Sequence, residues 1–168
     1  MITPGWCHIM ARYNAWQNAN LLAAAETLSD AERRADRGAW FGSIHGTFAH
    51  LLWADLLWMS RFDGGPAPGG VIADSAGRFP DWGALRAERA ATDARILGWA
   101  GRLEPDDVEG ELSWHSASMG RDLTMARAIC ITQLFNHQTH HRGQVHAMLT
   151  AAGARPGVTD LPFLPEAV

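Results

Sequence analysis

The chain contains no lysine: all fourteen of its basic residues are arginine. That absence excludes a lysine Schiff base, and with it ordinary pyridoxal phosphate attachment, and it excludes a phosphate-binding loop built on lysine. Cysteine is nearly absent too. Cys7 and Cys130 are the whole supply, which is no disulfide framework. Basic charge is in deficit. The formal net charge is −4 and the pI is near 6.0, which gives no global electrostatic case for nucleic acid. No apolar run approaches a membrane span, and the first residues do not pair a basic stretch with an apolar one and a cleavage site. A cytoplasmic protein with no membrane partner is therefore expected. There is no internal repeat and no low-complexity tract.

What is present is tryptophan and histidine, eight of each among 168 residues. A chain of this length is expected to form one domain, residues 1–168, with a sizeable core. Eight indoles need burial, an interface or a pocket.

Thr3 followed by Pro4 starts a first helix, along which Trp6, Ile9, Met10, Tyr13, Trp16, Leu21, Ala24 and Leu28 recur at helical spacing. "SDAE" at 29–32 is a capping-box pattern that predicts a short extra turn. "RADRGAWFG" is a connection, and Ser43 caps a second helix, "IHGTFAHLLWADLLWMSRF". Residues 63–80 form a Gly/Pro-rich loop, long enough either to cover a site or to cross the molecule. Asp81 caps a third helix running to Glu104-Pro105, whose arginines suggest a partly solvated face. Val108, Gly110, Leu112 and Trp114 then lie two apart and "ASMGRD" can turn, so a short β-hairpin is expected. A fourth helix follows from about Thr124 to Ala152, ended by Gly153 and Pro156, and the proline-rich tail beyond is not helical. Four long amphipathic helices and one long loop predict an all-α four-helix bundle, with a small hairpin between helices three and four.

Half of the histidines fall in one stretch, "FNHQTHHRGQVH", residues 135–146. At about 100° per residue, Cys130, Leu134, His137, His141, Val145, Met148 and Ala152 share one stripe. His137 and His141 thus face inward one turn apart. His140 is displaced to the side, and His146 lies on the opposite face. An inward H-x-x-x-H pair can hold one metal ion. The plain alternative is two core histidines bonded to backbone carbonyls or to each other, although four buried ring nitrogens then need partners. A third ligand should come from another helix, and His50 is the best candidate, on a row with Thr47, Ala54 and Leu57. His45, near a helix start, can be exposed. His8 and His115 read as surface or capping residues. Cys130 is two turns from His137, on the order of 10 Å, too far to share a metal. Three histidines leave coordination positions open for water, thiol or substrate.

"SIHGTFAHLLWAD" and, far downstream, "LFNHQTHHRGQ" resemble the DinB-like family, and the likeness extends over nearly the whole chain to the "TDLPFLPE" tail. The broader group includes thiol-dependent transferases and isomerases. The resemblance implies an up-down-down-up bundle with residues 63–80 as the crossover, and a homodimer. It also implies a divalent metal, typically nickel or zinc, on His50, His137 and His141. The family name refers to induction by DNA damage, a stress response, and implies no DNA chemistry here.

Other polar residues near the seam are open to several roles. Tyr13, Gln17 and Asn20 can bond a ligand's second nitrogen, a substrate, or simply another helix. Asp55 lies off the His50 row and is expected to pair elsewhere. Asp160 and Glu166 can fold over the site; Arg142 and Gln144 can bind an anion or serve a surface. Two function classes remain: a metal-dependent transferase, isomerase or hydrolase, with an external low-molecular-weight thiol as favoured partner, or a non-catalytic metal-binding dimer. A solvent channel with polar groups at the metal separates them.

Overall fold

The computed structural model describes residues 2–166. It is mainly helical, with one two-stranded antiparallel sheet. Helix α1, Pro4–Glu26, begins where the Thr3 hydroxyl accepts from Trp6 N at 3.1 Å. The single turn α2, Asp30–Arg34, carries the full Ser29/Glu32 capping box. Helix α3, Ile44–Asp63, is capped by Ser43 and stops at Gly64, whose φ of 71° favours glycine. Helix α4, Trp82–Ala100, starts on the Asp81 carboxylate, which accepts from Ala84 N at 2.7 Å. Each capping oxygen satisfies an amide that the helix itself cannot pair.

Strands β1, Glu111–Ser116, and β2, Arg121–Ala126, pair from Glu111↔Ala126 to Ser116↔Arg121. Thr124 is thus a strand residue opposite Ser113, not the start of the last helix; α5 spans Arg127–Ala151. The strand continues past Thr124 because the ladder is still paired there, which a local reading of "LTMARAI" does not reveal. The tail, among the described residues, contains only a 3₁₀ turn, Leu161–Phe163. Among the described residues, no helix is long and apolar enough to cross a membrane.

Helix α1 packs on α4 and α5, and α3 packs on the same two helices. The core is layered. One apolar cluster contains Leu21, Ala25, Phe48, Leu52, Leu85, Val145 and Leu149. A second contains Cys7, Met59, Ile96, Trp99, Ile131, Leu134 and Phe135. Along every long helix a polar level separates them: Asn14 and Asn18, Asp55, Arg89 and Asp93, Gln138 and Arg142, all buried. Arg89 donates to Asp55 at 2.7 Å and forms an ion pair with Asp93 at 2.8 Å. Asn18 donates to Asp93 at 2.9 Å, Gln138 to Asp55, and Arg142 to Asn14 and to Gln138. Burial pushes both aspartates above the ordinary carboxylate range, against the pull of Arg89. Arg89 itself is held above its ordinary value, because Asp93 and Asp55 outweigh the effect of burial. The network corrects two sequence readings. Arg89 is 1% exposed, not part of a solvated face, and Arg142 is a core residue rather than a surface one. Asp55 does pair away from His50, as expected.

The predominantly apolar composition of α3 also has its explanation here. Ile44–Asp55 is buried at every position, because α2, α4, α5 and the 3₁₀ turn Ile72–Gly77 all lie against this helix.

Candidate metal centre

His50 sits on α3, His137 and His141 on α5, at the height of the polar level. The ligand atoms of the three lie within 4.8 Å of one another, and their ring centroids are 4.5 to 5.1 Å apart. The i, i+4 spacing brings the α5 pair together, and the packing of α3 on α5 brings His50 to them.

The outer nitrogens of two rings fix which nitrogen faces the centre. The Ser75 hydroxyl donates to the Ile72 carbonyl at 2.6 Å. Its oxygen therefore has only lone pairs to offer His50 Nδ1, 2.9 Å away. The His50 proton then resides on Nδ1, and Nε2 presents a lone pair. On α5 the Gln144 amide nitrogen faces His140 Nε2 at 3.3 Å, so its oxygen accepts from His141 Nδ1 at 2.7 Å. His141 Nε2 is thus also a lone pair. Metal-binding histidines commonly donate their other N–H to such an outer acceptor.

His50 Nε2 and His137 Nε2 are 3.2 Å apart. A proton shared between these two nitrogens would satisfy only that contact. It would leave His141 Nε2 without a donor among the described residues; His137 Nδ1 is buried with no partner whichever way its Nε2 is used. A cation at the centre serves all three inward lone pairs, so the donor set fits one divalent ion. Burial pulls the pKa of His50 to about 3 and of His137 to about 4, and the neighbouring imidazoles add to the effect. Burial lowers His141 as well, partly offset by Gln144. All three are neutral at pH 7, the form that binds metal.

Phe41 stacks on His50 with centroids 3.7 Å apart and planes at 17°, closing one side. On the other side a cavity of about 370 Å³ begins at His50 and His137 and continues between α3, the 63–80 loop and the hairpin. Trp53 lines it and is tied to the loop by Nε1 donating to Gly69 O at 2.7 Å.

The remaining candidates stay outside the cluster, although His115 lines the same cavity. His45 is buried, not exposed, because its Nε2 lies 2.7 Å from Phe79 O and anchors the end of the loop. His8 and His140 are exposed. The exposed His115 pairs with Asp122 at 2.8 Å. His146 lines a separate cavity beside Tyr13 and Arg142. Cys130 is a core residue. Tyr13 and Gln17 do not support the histidines: they donate to Thr159 O at 2.6 Å and Val158 O at 3.0 Å, and Asn20 packs against Gly157. Helix α1 thereby holds the tail, with Arg12 donating to Glu166 O at 2.6 Å, and neither Asp160 nor Glu166 joins the cluster. Ser75 and Phe41 carry no periodic signal in the sequence and escaped it. Gln144 lies three residues beyond His141, on the same helix surface, and that spacing was a usable sign.

Fold and cluster together define a mainly helical protein with a largely buried three-histidine centre compatible with binding one divalent metal ion. The chain belongs to the DinB family, whose model matches residues 1–167. No curated protein matches it.

Proposed function

We propose that this protein is a metal-dependent enzyme in which His50, His137 and His141 hold one nickel or zinc ion, and that it carries out thiol-dependent transfer or isomerisation on a small electrophile. The observation that carries the reading is the convergence of three neutral imidazoles beside a solvent cavity, with the lone pairs of His50 and His141 turned inward by Ser75 and Gln144. A bound divalent ion supplies Lewis acidity and lowers the pKa of a thiol or water held beside it. The chain's own residues orient the ligands and exclude water on the Phe41 side.

The choice of thiol over water rests on the surroundings. No carboxylate joins the cluster among the described residues, and hydrolysis calls for a base to take the proton from water. A free thiol, with a pKa of about 8.5, needs less help. Neither cysteine of the chain serves. Both are buried, and burial pushes both thiols up, Cys7 to about 11. The thiol is therefore external.

The proposed frame is one domain, residues 1–168, folded as an up-down-down-up four-helix bundle. The order of the core layers supports it. Helices α1 and α5 pass from the cluster of Cys7 and Phe135 to that of Leu21 and Leu149, whereas α3 and α4 pass the other way. A homodimer belongs to the same proposal. It rests on family membership and on an alanine-rich groove of about 660 Å³ between α1 and α4.

Cobalt-substituted protein titrated with low-molecular-weight thiols tests the chemistry. A sulfur-to-metal charge-transfer band that disappears in His137→Ala is expected. An unchanged spectrum at millimolar thiol, with ester hydrolysis still detectable, would replace the transferase by a hydrolase. Stoichiometric metal should be lost in His141→Ala and kept in His146→Ala; equal metal in both would remove the ligand assignment.

A further inference from the structure

The cavity that begins at His50 and His137 ends at a cation. Arg61 lies at its far end, on the same wall of α3 as His50, Trp53 and Leu57. The guanidinium carbon is 4.6 Å from the centre of the Trp58 ring and 5.0 Å from that of Trp114 on β1. The two indoles meet edge to face at 5.7 Å. Stacking of this kind holds the planar fork in place while leaving its N–H groups unused.

No acid answers this charge. Arg33 and Arg34 pair with Asp30, Arg86 with Glu26, Arg89 with Asp55 and Asp93, and Arg95 with Asp63. Arg61 makes no ion pair and no hydrogen bond among the described residues, and no Asp or Glu lines the cavity. Burial lowers its pKa below the ordinary guanidinium value, as expected of a half-buried cation without a counter-ion. On the α3 side, the space between the two ends is bounded by Trp53, Leu57 and Trp58. Trp58 lies roughly 12 Å beyond His50 along the helix axis.

We propose that Arg61 is a specificity-determining residue that binds the anionic end, a carboxylate or phosphate monoester, of an elongated molecule whose other end reaches the three histidines. A guanidinium meets either anion through two parallel hydrogen bonds. The middle of the ligand is apolar or flat, to match the tryptophan walls. This assignment rests on the proposed function only for the identity of the inner end. Anion recognition at Arg61 stands or fails separately.

The test uses zinc-loaded protein and the fluorescence of the tryptophans that line the cavity. The probes are 8-mercaptooctanoate, 8-mercaptooctanol, octanoate, octanol and octyl phosphate. Wild type should bind each anion at least about tenfold more tightly than its neutral counterpart, in line with one charge-assisted contact. Arg61→Gln should abolish that preference while binding the neutral probes as wild type does, which also shows that the variant is folded. Arg61→Lys should retain part of it. The ratio of octyl phosphate to octanoate affinity identifies the favoured anion. A preference that survives in Arg61→Gln, or is absent from wild type, overturns the assignment. Octanoate against octanol reads Arg61 without a thiol. A lack of any gain from the mercapto group, with the carboxylate preference intact, would therefore count against the thiol reading and support Arg61.

Discussion

Ser75 decides which nitrogen of His50 faces the centre, although it sits in the 3₁₀ turn Ile72–Gly77 and bonds neither of the other two histidines. Its hydroxyl is committed to Ile72 O, and it can only accept from His50. Gln144 does the same for His141. Loss of such outer partners commonly weakens metal affinity by about 10–100-fold. Ser75→Ala and Gln144→Leu should therefore each weaken zinc binding within that range, measured by chelator competition, with little change in the far-ultraviolet spectrum. Wild-type affinity in both variants would show that the ring orientations are held by packing against Phe41 alone. The histidines themselves were legible in the sequence, because helical periodicity singles out His137 and His141 and places His50 on an inward row. Ser75 was not: one short 3₁₀ turn inside a Gly/Pro-rich segment is too brief to show a phase, and its contact with His50 exists only once that segment has folded back on α3.

At the level of elements, helix starts were the most readable feature, since Thr3, Ser29, Ser43 and Asp81 each cap where the sequence places a cap. The hairpin was readable from the alternation of β1, but β2 is mostly exposed on both faces. It has no alternation to mark its end, which is why the last helix was expected three residues early. Ser43→Ala should cost about 1 kcal/mol in chemical denaturation, as the Gly46 amide loses its acceptor at 3.0 Å. The far end of α3 is tied to α4 by the two-point contact of Arg95 with Asp63, at 2.6 and 2.8 Å. That hydrogen bond holds the Asp63 carboxyl below its ordinary range. A carboxylate depressed in the folded state stabilises fully above its unfolded pKa, about 3.9, and loses the contribution as pH falls through the folded value. The melting temperature of Asp63→Asn should accordingly lie below wild type by a constant amount above about pH 5. The gap should narrow below about pH 3.9. A gap independent of pH would assign the effect to packing.

For the whole molecule, the polar level through the core is the dominant feature, and composition gave no hint of it. An arginine on a helix reads as solvated until its neighbours are known, and Arg89 finds its two aspartates on α3 and on its own helix. Breaking a buried pair by removing one partner costs about 3–5 kcal/mol. Asp55→Ala should destabilise the protein by that order in urea denaturation, with Gln138 losing the same acceptor. A change under about 1 kcal/mol would mean that water or Asp93 takes over the charge. The proposed dimer is checked by light scattering at micromolar concentration, where a monomer mass would remove it.

The layering also constrains how the helices can slide. A shift of α3 by one turn, about 5.4 Å, would still set Leu and Phe against Leu and Ile, at small cost in apolar contact. It would, however, carry Asp55 away from Arg89 and Gln138 into an oily layer, which a buried charge does not tolerate. The polar level thus acts as a key that admits a single register. Histidines contributed by two separate helices meet because residues that never touch them forbid every neighbouring alignment.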